Sequence, residues 1–267
     1  MKFWKILKAH IEETLPEWQD KFLCYKDLKK ELKLIYPQDG DRPKKRQRLD
    51  DDDKVSKEMN DFVKLLEEEI HKFNTFFVEK EEDYIIHLRV LKERVAEMRK
   101  SNEELIRVGR DVVDLHGEMV LLENYSALNY TGVVKILKKY DKLSGELIRL
   151  PFIQKVLEEP FFKTEVINKL VKECDILLSH LLYQTEPLKE PEGTRGSGER
   201  PVKVPEEIAE IKNMENMYLR LTYSALRVLQ EIRSGSSTVS MFSLPPMKTS
   251  KLDKVWKNAP VVEQEAK

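Results

Sequence analysis

Met59, Phe62, Leu66, Ile70, Phe73, Phe77, Tyr84, Leu88, Leu91, Val95 and Met98 follow a three-four rhythm. That spacing keeps one apolar face in line for about eleven turns and predicts a long helix over residues 54–100. Ser101-Asn102 with Glu104 reads as a stop followed by a fresh N-cap. A second long helix is predicted over 103–142, with Leu105, Val112, Leu115, Met119, Leu122, Val133, Ile136, Leu137 and Tyr140 inside. Asn129-Tyr-Thr-Gly132 is expected to bend it, because glycine weakens a helix interior. Two long helices joined by a tight turn must pack antiparallel. Upstream lies a helical hairpin. Its first arm, 2–13, aligns Phe3, Ile6, Leu7 and Ile11, and Thr14-Leu-Pro16 ends it. Its second arm, 17–35, aligns Trp18, Phe22, Tyr25, Leu28, Leu32 and Ile35. The hairpin is expected to cover the free apolar edge of the long pair.

Between these units, residues 36–53 (YPQDGDRPKKRQRLDDDD) read as a loop, since proline, glycine and dense charge exclude a core element. After Gly145 the pattern predicts shorter helices at 152–158 and 163–183. Residues 184–204 are rich in Pro, Gly, Ser and Glu and read as a linker. A helix over 205–233 follows, and the tail 234–267 lacks periodicity except for the small apolar patch MFSLPPM. The fold class is all-α: an N-terminal hairpin on two long antiparallel helices forms a three-helix-bundle core, extended by shorter C-terminal helices. The expected organisation is a domain over 1–150, additional helices over 151–183, the linker, the helix 205–233 and the tail.

Composition agrees with helices, with only 9 glycines in 267 residues. It narrows the partners too. With 47 basic and 48 acidic residues the net charge is −1, so general affinity for nucleic acid or membranes is not expected, and only local clusters carry information. No apolar run approaches the roughly 20 residues that span a bilayer. The basic start MKFWKILKAH lacks the apolar core and cleavage site of a signal peptide. Cys24 and Cys174 are far apart and form no zinc or redox spacing, and the five histidines show no paired metal spacing. No base is placed for Cys24, no glycine-rich phosphate loop is present, and nothing in the pattern supports an enzyme.

One local cluster stands out. In NYTGVVKILKKYDK, residues 129–142, Lys135, Lys138, Lys139 and Lys142 fall within about 100° of arc on a helix, opposite Val133, Ile136, Leu137 and Tyr140. A solvated helix face is ordinarily laced with i,i+4 ion pairs. Here the residues four before Lys135 and Lys138 are Thr131 and Val134, and Lys135–Lys139 and Lys138–Lys142 are themselves like-charged i,i+4 pairs. Each such pair costs roughly 0.2–0.5 kcal/mol. Only Glu146 can answer Lys142. The strip is therefore read as a site for an external anion. Lys2, Lys5 and Lys8 share a side of the first helix, and Lys21, Tyr25 and Lys29 follow at i, i+4 and i+8 on the second. If the hairpin packs on the end of the long helix, these groups converge on the strip. Compact ammonium charges on a convex patch suit a small, highly phosphorylated ligand, and no aromatic residues interleave for base stacking.

These segments also carry a resemblance. MKFWKILKAHIEETLPEWQDKFLCYKDLKKELK resembles the opening of the SPX domain, FNTFFVEKEEDYI its middle motif and NYTGVVKILKKYDK its last, in that order over about residues 1–150. EIRSGSSTVSMFSLPPM, residues 231–247, resembles the C-terminal segment of plant stand-alone SPX proteins, and no transporter, polymerase or RING segment is recognised after the domain. The resemblance implies a receptor for inositol hexakisphosphate or an inositol pyrophosphate. It implies Tyr25, Lys29 and Lys139 as the phosphate-binding cluster, Lys135, Lys138 and Lys142 around it, and Lys2 and Lys5 closing the site. It further implies a partner, a MYB coiled-coil phosphate-starvation-response transcription factor that the loaded domain keeps from DNA. Trp4 departs from the family pattern KFGK, where glycine stands, and a large ring there bears first on the contacts of Lys2 and Lys5.

Pro43-Lys-Lys-Arg-Gln-Arg48 resembles a nuclear localisation signal, against the plainer reading of a solvated loop balanced by Asp50 to Asp53. With the nuclear partner, it sets the expected compartment as the nucleus, with the cytoplasm as a second. On helix 205–233, Arg220 and Arg227 border an apolar stripe, which either packs back on the bundle or serves a partner or a homodimer. Two other functions stand beside the sensor reading. A peripheral adaptor could use the strip for phosphoinositide head groups, but no apolar insertion face lies beside the lysines. A coiled-coil scaffold would leave the lysines without a ligand.

Overall fold

The computed structural model describes residues 3–36, 51–97, 102–145, 147–185 and 206–234. Among the described residues seven α-helices are formed: α1 (Phe3–Glu13), α2 (Tyr25–Ile35), α3 (Asp51–Glu97), α4 (Asn102–Ser144), α5 (Arg149–Val156), α6 (Glu165–Thr185) and α7 (Glu206–Ser234). Two 3-10 turns, Pro16–Lys21 and Pro160–Phe162, complete the described elements.

The long pair forms as the periodicity predicts. Phe62 stacks on Tyr140, Tyr84 donates to Glu118, and Arg94 reaches Asp111, so partners fall along α4 as they rise along α3. The two helices are antiparallel, and α6 adds a third rod, with Lys92 of α3 paired to Glu173 and the Cys174 thiol donating to the Val112 carbonyl at 3.5 Å. Helix α2 lies on α3 and α4 at the opposite end of the long pair. Most of the face assigned to the interior is buried, including Phe62, Leu66, Phe73, Tyr84 and Leu91 on α3 and Val112, Leu122, Val133, Ile136 and Tyr140 on α4, while Met59 and Val95 near the ends of α3 are half-buried and Met98 lies outside the described residues. The buried ones belong to one contiguous core.

Several boundaries differ from the sequence expectation, each for a local reason. α3 begins at Asp51 rather than after the acid run. Aspartates in a first turn face the positive end of the helix dipole, which favours starting there. The second arm of the hairpin is not one helix. Pro16–Lys21 is a 3-10 turn, Phe22 is extended at φ −71° and ψ 163°, and α2 starts only at Tyr25. Side chains of the long helices take the backbone groups of this break. The Leu23 N–H donates to Asn129 Oδ1 at 2.9 Å, the Cys24 N–H to Glu69 Oε2 at 2.8 Å, and Lys72 Nζ donates to the Phe22 carbonyl at 2.9 Å. The Tyr125 hydroxyl donates to the Lys21 carbonyl at 3.0 Å. α4, by contrast, runs unbroken through Gly132, where a bend was expected. A Cβ on Gly132 would lie 2.5 Å from Leu23 Cδ2, so the glycine makes room for the hairpin turn. The short helix expected at 152–158 lies at Arg149–Val156, followed by the Pro160 turn.

The hairpin only partly covers the long pair in the way expected. α2 does so, and aromatic rings anchor the turn: Trp18 sits edge-on to Phe76 at 5.2 Å, and Phe22 edge-on to Tyr125 at 5.0 Å. Such pairs add about 0.5–1.5 kcal/mol each beyond their buried area. α1 instead packs chiefly against α7 and the 3-10 turn. Of the readings of the C-terminal helix, the structure shows the first: α7 packs back on the bundle, running parallel to α4. The Tyr218 ring occupies the space a Cβ on Gly117 would fill, at 2.1–2.5 Å, and its hydroxyl donates to Asp114 at 2.6 Å. The linker 184–204 and the tail 234–267 lie outside the described residues apart from their helical edges, as do 37–50 of the expected loop and the import-like Pro43–Arg48.

Two outcomes are expected from this packing. Asn129→Ala leaves the buried Leu23 N–H without an acceptor and should cost about 1–3 kcal/mol in urea unfolding. Equal stability of the variant would show that the turn is not held by this bond. Gly117→Ala forces a methyl into the Tyr218 ring and should raise amide hydrogen exchange across α7 while leaving α3 and α4 protected. Unchanged protection of α7 would contradict the keyed contact.

Candidate functional site

The four lysines of the strip lie on α4 as the helical geometry predicts. Val133, Ile136, Leu137 and Tyr140 are fully buried on the opposite side, and Lys135, Lys138 and Lys139 are half-buried while Lys142 is exposed. What the hairpin adds is decided by the break at Phe22–Cys24. It aims α2 so that Lys29 and Lys33 face Lys139. The Lys139 ammonium is held below the ordinary lysine value of 10.5 by burial first, and then by the charges of Lys29, Lys33 and Lys142. Lys135 is lowered too, by burial and by Lys138. Among the described residues no carboxylate lies within ion-pair reach of Lys29, Lys33, Lys139 or Lys142. Some exposed cations elsewhere on the bundle are answered: Lys30 by Asp27, Lys155 by Glu67 and Lys163 by Glu158.

Tyr25 opens α2 beside this cluster. It is buried, its ring meets Phe3 of α1 edge-on at 4.7 Å, and burial pushes its hydroxyl above the ordinary tyrosine value, so it stays a neutral donor. Phe3 is thereby the contact through which α1 touches the cluster. Lys2 lies outside the described residues. Lys5 is exposed and lines a cleft toward α7, and Trp4 packs half-buried against the core. Two cations grouped with the site by spacing do something else. Lys21 belongs to the 3-10 turn, not to α2, and pairs with Asp20 at 2.9 Å, while Lys8 pairs with Glu12 at 3.1 Å. The sequence reading missed Lys33, although it stands one turn after Lys29 on the same face.

The arrangement is suited to holding an anion with several charges. Its donors are ammonium groups and one phenol on two helices joined by a rigid turn, so both halves of the site are positioned before a ligand arrives. The neighbouring thiol is not activated: burial, then the charge of Glu69, raises Cys24 above its ordinary value, and Cys174 is pushed up to about 12 by burial. Both cysteines are free. Among the described residues no His, Cys, Asp and Glu group could hold a metal, and no helix is long and apolar enough to cross a membrane.

The chain was compared with known proteins. The SPX domain family profile matches residues 100–156, which hold α4 with its lysine strip and α5. SPX domain-containing protein 1 of Arabidopsis thaliana is 55% identical, with 100% of both chains covered. SPX domain-containing protein 2 of the same plant is 54% identical and SPX domain-containing protein 1 of Oryza sativa subsp. japonica 52%, each again over 100% of both chains. Among solved structures, the SPX domain of Chaetomium thermophilum glycerophosphodiester phosphodiesterase 1, in complex with inositol hexakisphosphate, matches with a TM-score of 0.54 at 23% identity. It covers 68% of this chain and 99% of its own, and so shares the helical fold. Identity of this order along the whole length, over a bundle whose break, strip and long helices follow one pattern, has a single explanation: the chain belongs to the family of SPX-domain proteins.

Proposed function

We propose that this chain is a receptor for inositol polyphosphates, inositol hexakisphosphate or an inositol pyrophosphate, and that it binds rather than catalyses. The observation that carries the reading is the convergence of Lys29 and Lys33 with Lys139 and Lys142 from segments about a hundred residues apart, where their charges add to the effect of burial in holding Lys139 below its ordinary value. Folded chains ordinarily place carboxylates against such groups, and a cluster of like charge is stabilised by an anion of matching valence. Tyr25, Lys29 and Lys139 form the centre of the site, with Lys33, Lys135, Lys138 and Lys142 around it and Lys2 and Lys5 contributed from the first helix. The ligand held by the solved structural neighbour supports the ligand class. The full-length likeness to the plant proteins supports the rest of the reading. In it the loaded domain, residues 1–150, binds a MYB coiled-coil transcription factor in the nucleus and represses it.

A physical route joins ligand to partner. α1 touches the cluster through Phe3 on Tyr25. An anion that neutralises the lysines removes the repulsion opposing the approach of further basic groups from the first helix. The first helix then orders over the site, and the ordered surface is what the factor recognises. By linkage, ligand raises affinity for the factor by the same ratio as the factor raises affinity for ligand.

Replacing Lys135, Lys138, Lys139 and Lys142 together by Ala should weaken inositol hexakisphosphate binding by more than about a hundredfold in calorimetry at physiological salt, since charge-assisted contacts are the strong ones. Thermal stability should stay equal or rise, because the side chains avoid the core and their mutual repulsion is removed. Wild-type affinity in this variant would remove the strip as the receptor. For gating, hydrogen exchange over residues 3–13 should slow on ligand addition, and capture of the factor should require ligand. A factor that binds the ligand-free chain and the quadruple variant equally well makes the chain a constitutive binder.

A further inference from the structure

Away from the strip, α1 and α7 enclose an open cleft of about 550 Å³. Three of its lining groups are cations: Lys5 from α1, and Arg220 and Arg227 from α7. The two arginines are seven residues apart and share one face of α7, with Tyr223 and Ser224 between them on the same lining. All three cations are exposed at the surface, and among the described residues none has a carboxylate within ion-pair reach. The one acid in the cleft is Glu13, and its Oε2 accepts from the Ser224 hydroxyl at 2.6 Å. His10, on the cleft floor, is almost fully buried, lies 3.5 Å from the same hydroxyl, and is kept below its ordinary value mainly by burial. It therefore adds no charge near neutrality. The balance is three cations against a single carboxylate that already holds a hydrogen bond.

We propose that this cleft is a second anion site that takes a phosphate ester between α1 and α7. Arginine is the cation best matched to it. Its planar fork gives two parallel N–H donors to a phosphate, and two such forks on one helix face can grip one phosphoryl group or two on the same ring. The Ser224 hydroxyl, which donates to Glu13, holds that carboxylate at the side of the cleft. The cleft draws on α1 and α7 and the centre of the lysine strip on α2 and α4, Lys5 being the one described group assigned to both, so the cleft site does not depend on the strip being a receptor. Filling it has a structural consequence. α7 belongs to the last described segment and meets α1 along this cleft, so an anion held by Lys5 and the arginines joins the two helices by charge. Ligand in the cleft thus couples the first helix to the last.

The test uses the full chain and two probes, inositol hexakisphosphate and inorganic phosphate, with stoichiometry and affinity read by calorimetry. With inositol hexakisphosphate the wild-type chain should show two sites. Arg220→Gln with Arg227→Gln should remove one of them, and each arginine replaced singly should weaken that site by about tenfold. Arg227→Lys keeps the charge but loses the fork and should fall between Arg227→Gln and wild type. The quadruple lysine variant should keep the cleft site, so failure of the strip and failure of the cleft give different results. If inorganic phosphate fills the cleft alone at comparable affinity, the site serves free phosphate; if only the inositol ester does, it serves the ester. Hydrogen exchange across α7 should slow with ligand in the quadruple lysine variant. A single site in the wild-type chain, unchanged by the arginine substitutions in stoichiometry and affinity, overturns the proposal.

Discussion

Like charges on two helices stay close only if something else holds the helices there. In this chain that is the clamp on the break at Phe22–Cys24. Asn129, Glu69 and Lys72 take up the backbone groups of the break, and Gly132 leaves space for Leu23. The bonds are short, and that to Leu23 is buried, so leaving its N–H unpaired is costlier than the repulsion among the lysines. The break sets where α2 starts, and that sets which of its residues face α4. Tyr25, Lys29 and Lys33 arrive beside Lys139 as a consequence.

The same end of the molecule is stiffened by aromatic packing. Trp18, Phe22, Phe73, Phe76 and Tyr125 meet edge-to-face around the hairpin turn, and Phe161 of the second 3-10 turn continues the cluster. Asn74 ties that turn to α3, accepting from the Phe161 N–H and donating to Glu159. Beneath the strip itself, Tyr140 stacks on Phe62 of α3. Repulsion among the ammonium groups is a cost that the packing of the core bears.

α7 plays a different part. It is keyed to α4 by a ring against a glycine and a phenol against a carboxylate, and it supplies most of the contact for α1. The first helix is thus held on one side by Phe3 against Tyr25 and on the other by α7. An element gripped between two basic surfaces is one whose order responds to anions, which is why both proposals for this protein turn on α1.

The chain's own pattern determined much of this. A three-four rhythm sustained over forty residues can only be a long helix, because no other backbone geometry returns a side chain to the same face at that spacing. The lysine strip was equally legible, since its angular positions follow from helix geometry and the like charges four residues apart can be read along one segment. The family motifs, continuous stretches, were legible for the same reason. What stayed hidden depended on contacts between distant segments. That Gly132 spares room for Leu23 rather than bending α4, that the second hairpin arm breaks at Phe22, that Lys33 joins the cluster, and that α7 returns to α4 and faces its arginines toward Lys5 are set by partners from about 50 to more than 200 residues away. Local sequence specifies periodicity, capping and charge; only the packed chain decides which face of one helix is presented to which residue of another.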